Sequence, residues 1–218
     1  GVRETPTALL EPAATNLIPD SYGITGWSGP ATATPNAGTA PDGTNTATRI
    51  SNITGAAGER RNCLLLTGQS IAGRTFAGGI WLRGEGADVG RQVNVRLARQ
   101  TGTASASVDV TLTDTWQRVR VGPLTGAAGD VGLKLTVHNP GTNAADSCLI
   151  WGAQVEESAV LTSTIVSAGT PTTRAADALT VPWPYPYGPM TVYISGVELG
   201  ITALSTSGRA LWGIGGSG

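Results

Sequence analysis

The chain has 218 residues, a net charge of −1, 13% charged residues, 40% apolar residues and 31 glycines. This is length enough for one β-sandwich and a remainder, and low charge with ample apolar content excludes an intrinsically disordered chain. A pI near 5.8 with no basic stripe argues against a nucleic-acid partner, and no apolar run is long enough for membrane insertion as a helix.

In chain order, residues 1–13 read as an N-terminal arm, and the chain opens at Gly1 rather than Met, as a processed or excised piece would. Strands are predicted near 45–51, 61–67 and 74–83. Three further segments alternate: Val93, Val95 and Leu97 with Gln92, Asn94 and Arg96; Val108, Val110 and Leu112 with Asp109 and Thr111; Leu133, Leu135 and Val137 with Lys134, Thr136 and His138. Period-two alternation gives half-buried strands with one wet face. Strands near 116–121 and 147–155 complete the set, and Ile150–Glu156 reads as the final core strand, followed by a strap at Thr172–Asp177. Turn chemistry separates the strands. In Pro41-Asp42-Gly43-Thr44 the proline presets φ and the glycine accepts a positive one. No helical stripe is sustained, so the fold class is all-β, an antiparallel sandwich of jelly-roll type over 14–180. Pro182 to Pro189 is a rigid aromatic linker. Strands at 190–194 and 209–214 make residues 181–218 either the opening of a second β domain or a subunit-docking arm.

Four tryptophans, Trp27, Trp81, Trp116 and Trp151, could stack on sugar rings or fill core. Trp151 shares a predicted face with Leu149, Ala153 and Val155, which favours packing for it. Trp81 faces away from Ile80 and Leu82, so its strand either buries or displays it, and it is kept as a binding candidate. The wet faces supply the other candidates: Gln92, Asn94 and Arg96; Asp109 and Thr111; Lys134, Thr136 and His138. On neighbouring strands these would form a patch of amides, hydroxyls, a carboxylate and cations suited to sugar hydroxyls or acidic-sugar carboxylates. The same pattern also fits a solvated face with cross-strand pairs.

His138 is the only histidine, and no Ser-His-Asp arrangement accompanies it. Glu156-Glu157 with Asp177 could serve a glycosidase, but adjacent residues on a strand point to opposite faces, so the expectation is non-enzymatic. Cys63 and Cys148 read as two buried thiols, with one long-range disulfide as the alternative. No cofactor and no metal are expected; a structural calcium ion at Asp20 or Asp42 has no dense acidic loop to demand it. Arg174 suits a carboxylate or carbonyl clamp at the domain exit.

Six ordered elements resemble one family. They are Asn16-Leu17-Ile18 with Trp27, Pro41 to Ala47, Thr75-Phe76 with Ile80 to Arg83, Thr115 to Val119, Ile150 to Glu156, and Thr172 to Asp177. Together they are similar to tail-fibre and head-spike proteins of phages and gene-transfer particles whose modules look like carbohydrate-binding jelly rolls. The resemblance implies a virion component, assembled in the bacterial cytoplasm with other virion structural proteins. It also implies a homo-oligomer, a trimer in the first instance, and a cell-surface polysaccharide as partner. A purely structural connector carrying a separate receptor-binding domain is the alternative, and a glycan hydrolase module the third.

Overall fold

The computed structural model describes residues 10–22, 26–54, 58–102 and 105–177. The expectations for residues 1–9 and 178–218, including the linker and the strands after it, lie outside the described residues.

The described residues form eleven strands: β1 (Ala14–Asn16), β2 (Thr32–Gly38), β3 (Ala47–Ser51), β4 (Gly58–Ser70), β5 (Thr75–Arg83), β6 (Gln92–Arg99), β7 (Ser105–Thr111), β8 (Gln117–Thr125), β9 (Val131–Asn139), β10 (Ser147–Glu156) and β11 (Thr172–Arg174). A 3-10 turn, Gly86–Asp88, separates β5 from β6. One sheet has the order β2-β3-β10-β5-β8, the other β4-β9-β6-β7, and β1 pairs with β11. Every one of these pairings is antiparallel. From β3 to β10 the chain changes sheet at every step except the β6–β7 hairpin. That is the path of a jelly roll, and β2 adds an edge strand beside β3.

The period-two pattern explains the central layer. Val93, Val95 and Leu97 on β6 and Leu133, Leu135 and Val137 on β9 are buried, as are Phe76, Ile80 and Leu82 on β5. They form one cluster with Ile150, Ala153 and Val155 of β10.

β10 departs from simple alternation. Its pairing with β5 shifts register between Trp151 and Gln154, where Gly152 takes φ 59. A β-carbon there would stand 3.1 Å from the Trp81 ring, so glycine suits both the turn of the backbone and the space. The extra residue reverses the parity of the strand. Ala153 and Val155 join the central core, while Leu149 and Trp151 lie in a separate cluster with Ala40 and Ala47. This corrects the sequence expectation that Trp151 shares a face with Ala153 and Val155.

That second cluster forms an outer layer on the five-stranded sheet. Tyr22, Trp81, Trp116 and Val166 pack against it. Its indoles donate to segments that close over the sheet: Trp151 Nε1 to Thr46 Oγ1 at 3.1 Å, Trp81 Nε1 to Thr164 Oγ1 at 3.0 Å and Trp116 Nε1 to the Thr39 carbonyl at 3.0 Å. Tyr22 meets Trp151 edge-on at 6.1 Å. Trp27 is in the central core.

Residues 10–22 and 161–177 are bound onto this layer. Asn16, fully buried, donates to Ser21 Oγ and to the Ala153 and Ile165 carbonyls, and accepts from the Ile18 and Val155 amides. Arg174 donates to the Glu11 carboxylate, to Ser163 Oγ and to the Pro12 carbonyl. The Asp177 amide donates to the Glu11 carbonyl, and the Glu11 amide donates to the Asp177 carboxylate. Arg174 is therefore the exit clamp the sequence suggests.

Cys63 on β4 and Cys148 on β10 are free and buried, on different sheets. Burial, with Asp20 near one and Asp88 near the other, pushes both thiols up to about 12, so they stay protonated at neutral pH. The two-thiol reading holds and the disulfide reading does not.

Candidate functional site

The four-stranded sheet brings most of the predicted polar residues together. β6 lies between β7 and β9, so Asn94 stands opposite Asp109 on one side and His138 on the other. Gln92 stands opposite Thr111, and Arg96 lies between Ser107 and Thr136. Lys134 faces Ala98 on β6 and Leu64 on β4. Within the face, Asn94 Nδ2 donates to Asp109 Oδ1 at 2.7 Å. Asp109 and Thr111 are exposed, and Gln92, Asn94, Arg96, Lys134 and His138 are half-buried. His138 Nδ1 lies 3.1 Å from the Asn139 carbonyl.

Two candidates fall outside this accessible face. Thr136 is fully buried and its hydroxyl donates to the Arg96 carbonyl at 3.1 Å, so it supports the sheet and offers nothing to a ligand. Trp81 lies on β5 in the other sheet, half-buried in the outer aromatic layer with its N–H already bound.

The face also contains residues that the sequence reading missed. Asn62 pairs with Thr136 and Leu64 with Lys134 in the β4–β9 register, and Ser107 is exposed beside Arg96. Leu64 is 53% exposed. In Cys63-Leu64-Leu65 the outer residues are buried, so alternation alone places the middle leucine on the wet face; a lone apolar group there is the signal that could have found it.

The arginines divide sharply. Arg49 and Arg83 pair with Glu85, Arg74 with Glu157, Arg99 with Asp130 and Arg174 with Glu11. Arg60, Arg61 and Arg118 donate to the carbonyls of Asn52, Trp27 and Thr162. Among the described residues, Arg96 is the half-buried arginine whose guanidinium has no such acceptor, and its Nε is buried without a partner.

A cleft of about 400 Å³ opens elsewhere, between Pro12–Thr15, Glu156–Ser158, Thr162 and Thr173. The acids near it already have structural partners. Glu156, 1% exposed, accepts from Gln154 Nε2 and from the Thr162 amide and hydroxyl. Glu157 is bound by Arg74 through two bonds at 2.8 and 2.7 Å, and Asp177 accepts the Glu11 amide at 3.0 Å. Asp42 caps Thr44 and Asp20 caps Tyr22. Among the described residues no group of three or more His, Cys, Asp or Glu could hold a metal ion.

The Glu11 clamp carries a pH signature. Burial acts to raise the Glu11 pKa, but hydrogen bonds from Ser163 and Arg174 outweigh it and hold the carboxyl below its ordinary range. A depressed carboxyl pKa contributes stability that is fully present above the ordinary glutamate range and is lost as pH falls through the lowered value. Arg174→Gln is therefore expected to flatten the acid limb of a stability profile measured by urea unfolding from about pH 6 down to about pH 3. A limb of unchanged slope would contradict a stabilising role for the Glu11–Arg174 clamp.

No protein-family model matches the chain, and no curated protein does. Solved structures with a similar backbone course include a xylan-binding domain of carbohydrate-binding module family 22, at TM-score 0.48 and 14% identity, covering 68% of this chain and 96% of that one. An arabinose-bound α-L-arabinofuranosidase of glycoside hydrolase family 51 is similar at TM-score 0.48 and 13% identity, over 66% of this chain and 26% of its own. The enzymatically active domain of tailspike protein 4 of bacteriophage CBA120 is similar at TM-score 0.46 and 16% identity, over 64% of this chain and 21% of its own. The chain thus corresponds to about a quarter or less of those two enzymes' lengths.

Proposed function

We propose that this chain is a non-enzymatic fibre or spike component of a phage or phage-like particle, and that its jelly roll attaches to polysaccharide on the host surface. The observation that carries the binding role is the contrast between the two sheets. The five-stranded sheet has its outer aromatic layer tied down by residues near Thr39, Thr46 and Thr164. The four-stranded sheet instead presents a polar outer face, with the Asn94–Asp109 pair joining β6 to the edge strand β7. Planar amides, hydroxyls and a carboxylate held in strand register make paired hydrogen bonds to sugar hydroxyls with little ordering to be done on binding. The viral setting rests on the six ordered sequence elements. It brings with it other virion proteins as partners, a homo-oligomer with a trimer as the first expectation, and assembly in the bacterial cytoplasm.

The test is retention of the chain on immobilised surface polysaccharide from candidate hosts. Asn94→Ala with Asp109→Ala is expected to weaken binding by about tenfold or more, because a few hydrogen bonds at about 1 kcal/mol each are lost. Thermal stability should change little, since both residues lie on the wet face. Binding that survives the double substitution would move the site off this face.

The connector reading is favoured by a different observation. Residues 10–12 and 174–177 are bound to one another through Glu11, Pro12, Arg174 and Asp177, which suits a module that holds two chain segments at one place. Absence of polysaccharide binding by the unaltered chain would favour it.

A further inference from the structure

We infer that the polar face takes an acidic sugar, with the carboxylate of a uronic-acid-type residue held by the guanidinium of Arg96. This rests on the glycan-binding reading of the same face and names the ligand class for it.

The unpaired guanidinium carries the inference. Every other half-buried or buried arginine of the described residues reaches a carboxylate or a carbonyl, as set out above, whereas Arg96 reaches neither. Its Nε is buried without an acceptor, as are those of Arg60, Arg61 and Arg174, but their terminal nitrogens reach a carbonyl or a carboxylate and those of Arg96 do not; buried polar groups in folded proteins are as a rule satisfied. The row it stands in is also unfinished. Asn62, Thr136 and Arg96 are register neighbours across β4, β9 and β6. Thr136, in the middle, is fully buried and bonded to backbone. At the far end, Asn62 Oδ1 is buried and has no partner either.

A donor fork and an acceptor therefore flank a filled centre. Strands ~4.8 Å apart place the two ends about 10 Å from each other, a span that linked pyranose rings can bridge. A planar guanidinium matches a carboxylate bidentately, which a neutral sugar cannot reproduce. Asp109, two residues along β7 from the Ser107 that pairs with Arg96, is engaged by Asn94.

The experiment uses the 218-residue chain, isotopically labelled, and follows the Arg96 Nε–H signal and the β6 and β9 amides by NMR. The probes are methyl β-glucuronide and methyl β-glucoside, which differ by a carboxylate in place of a hydroxymethyl group, with acetate as a third arm. The glucuronide is expected to shift the Arg96 signal and bind more tightly than the glucoside. Arg96→Gln is expected to cost about tenfold or more in glucuronide affinity and to erase the preference, with unchanged Val95 and Leu135 signals reporting an intact fold. Equal affinity for the two glycosides, or an equal response to acetate, overturns the assignment. A face perturbed by both sugars while Arg96 stays silent overturns the acidic-sugar assignment alone and leaves glycan binding standing. A face that responds to no probe overturns both.

Discussion

Asn16→Leu is expected to destabilise the protein by about 3–4 kcal/mol. The side chains are close in volume, so the loss is not one of packing. Asn16 is fully buried and joins five groups: the Ser21 hydroxyl, the Ala153 and Ile165 carbonyls and the Ile18 and Val155 amides. Leucine leaves the backbone groups among them without that partner, and each buried unsatisfied group costs about 1–3 kcal/mol. Ser21 Oγ keeps its bond to the Ala153 carbonyl at 2.8 Å, and Leu17 N keeps its bond to the Val155 carbonyl at 2.8 Å, so the total stays below a simple sum. In a domain of this size each kcal/mol lowers Tm by about 2–4 °C, which puts the expected shift near 10 °C. Calorimetry decides it. A Tm within about 2 °C of the parent would mean that β1 is not needed to hold the outer layer in place.

Phe76→Ala is expected to cost about 3–5 kcal/mol, the usual range for deleting a fully buried phenylalanine. Phe76 is the only phenylalanine of the chain. It lies on β5 with no solvent exposure, in the cluster that both sheets share, and the Arg74 guanidinium stands 5.2 Å from its ring. Its removal opens a cavity that two sheets cannot close without shifting register. Phe76→Leu restores most of the volume and is expected to cost about 1–1.5 kcal/mol. Denaturant unfolding of the pair gives the comparison; similar losses for the two would mean that the aromatic shape, rather than its volume, is what the core requires.

Much of the architecture can be read in the sequence because β6 and β9 alternate without interruption, and period two leaves little choice of face. That regularity also put Asn94 beside Asp109 and His138 once the sheet order was known. β2 escaped the reading because Pro35 and Asn36 look like a turn. Pro35 sits in an edge strand, where its missing N–H is tolerated, and Asn36 takes φ 55. The parity switch in β10 escaped it too, although Gly152 inside the strand is the local mark of a bulge. Thr136 was misplaced for a physical reason: alternation tells which side of a sheet a residue faces, not whether its neighbours cover it. For Trp81 the sequence leaves burial and display open, because its cover comes from Thr164, far along the chain. Long-range cover has no local signature, whereas the Arg174 clamp did have one, a bidentate donor at the end of a strap.

We propose that polysaccharide is engaged by the outer face of β6, β7 and β9. Amide hydrogen exchange of the chain, with and without saturating surface polysaccharide from a susceptible bacterium, tests it most directly. The expected result is slowed exchange at Gln92–Arg96, Ser107–Thr111 and Lys134–His138, with no change around Trp81, Trp116 and residues 161–168. Protection confined to the aromatic outer layer, or none on the polar face of a chain that does bind the polysaccharide, would contradict it.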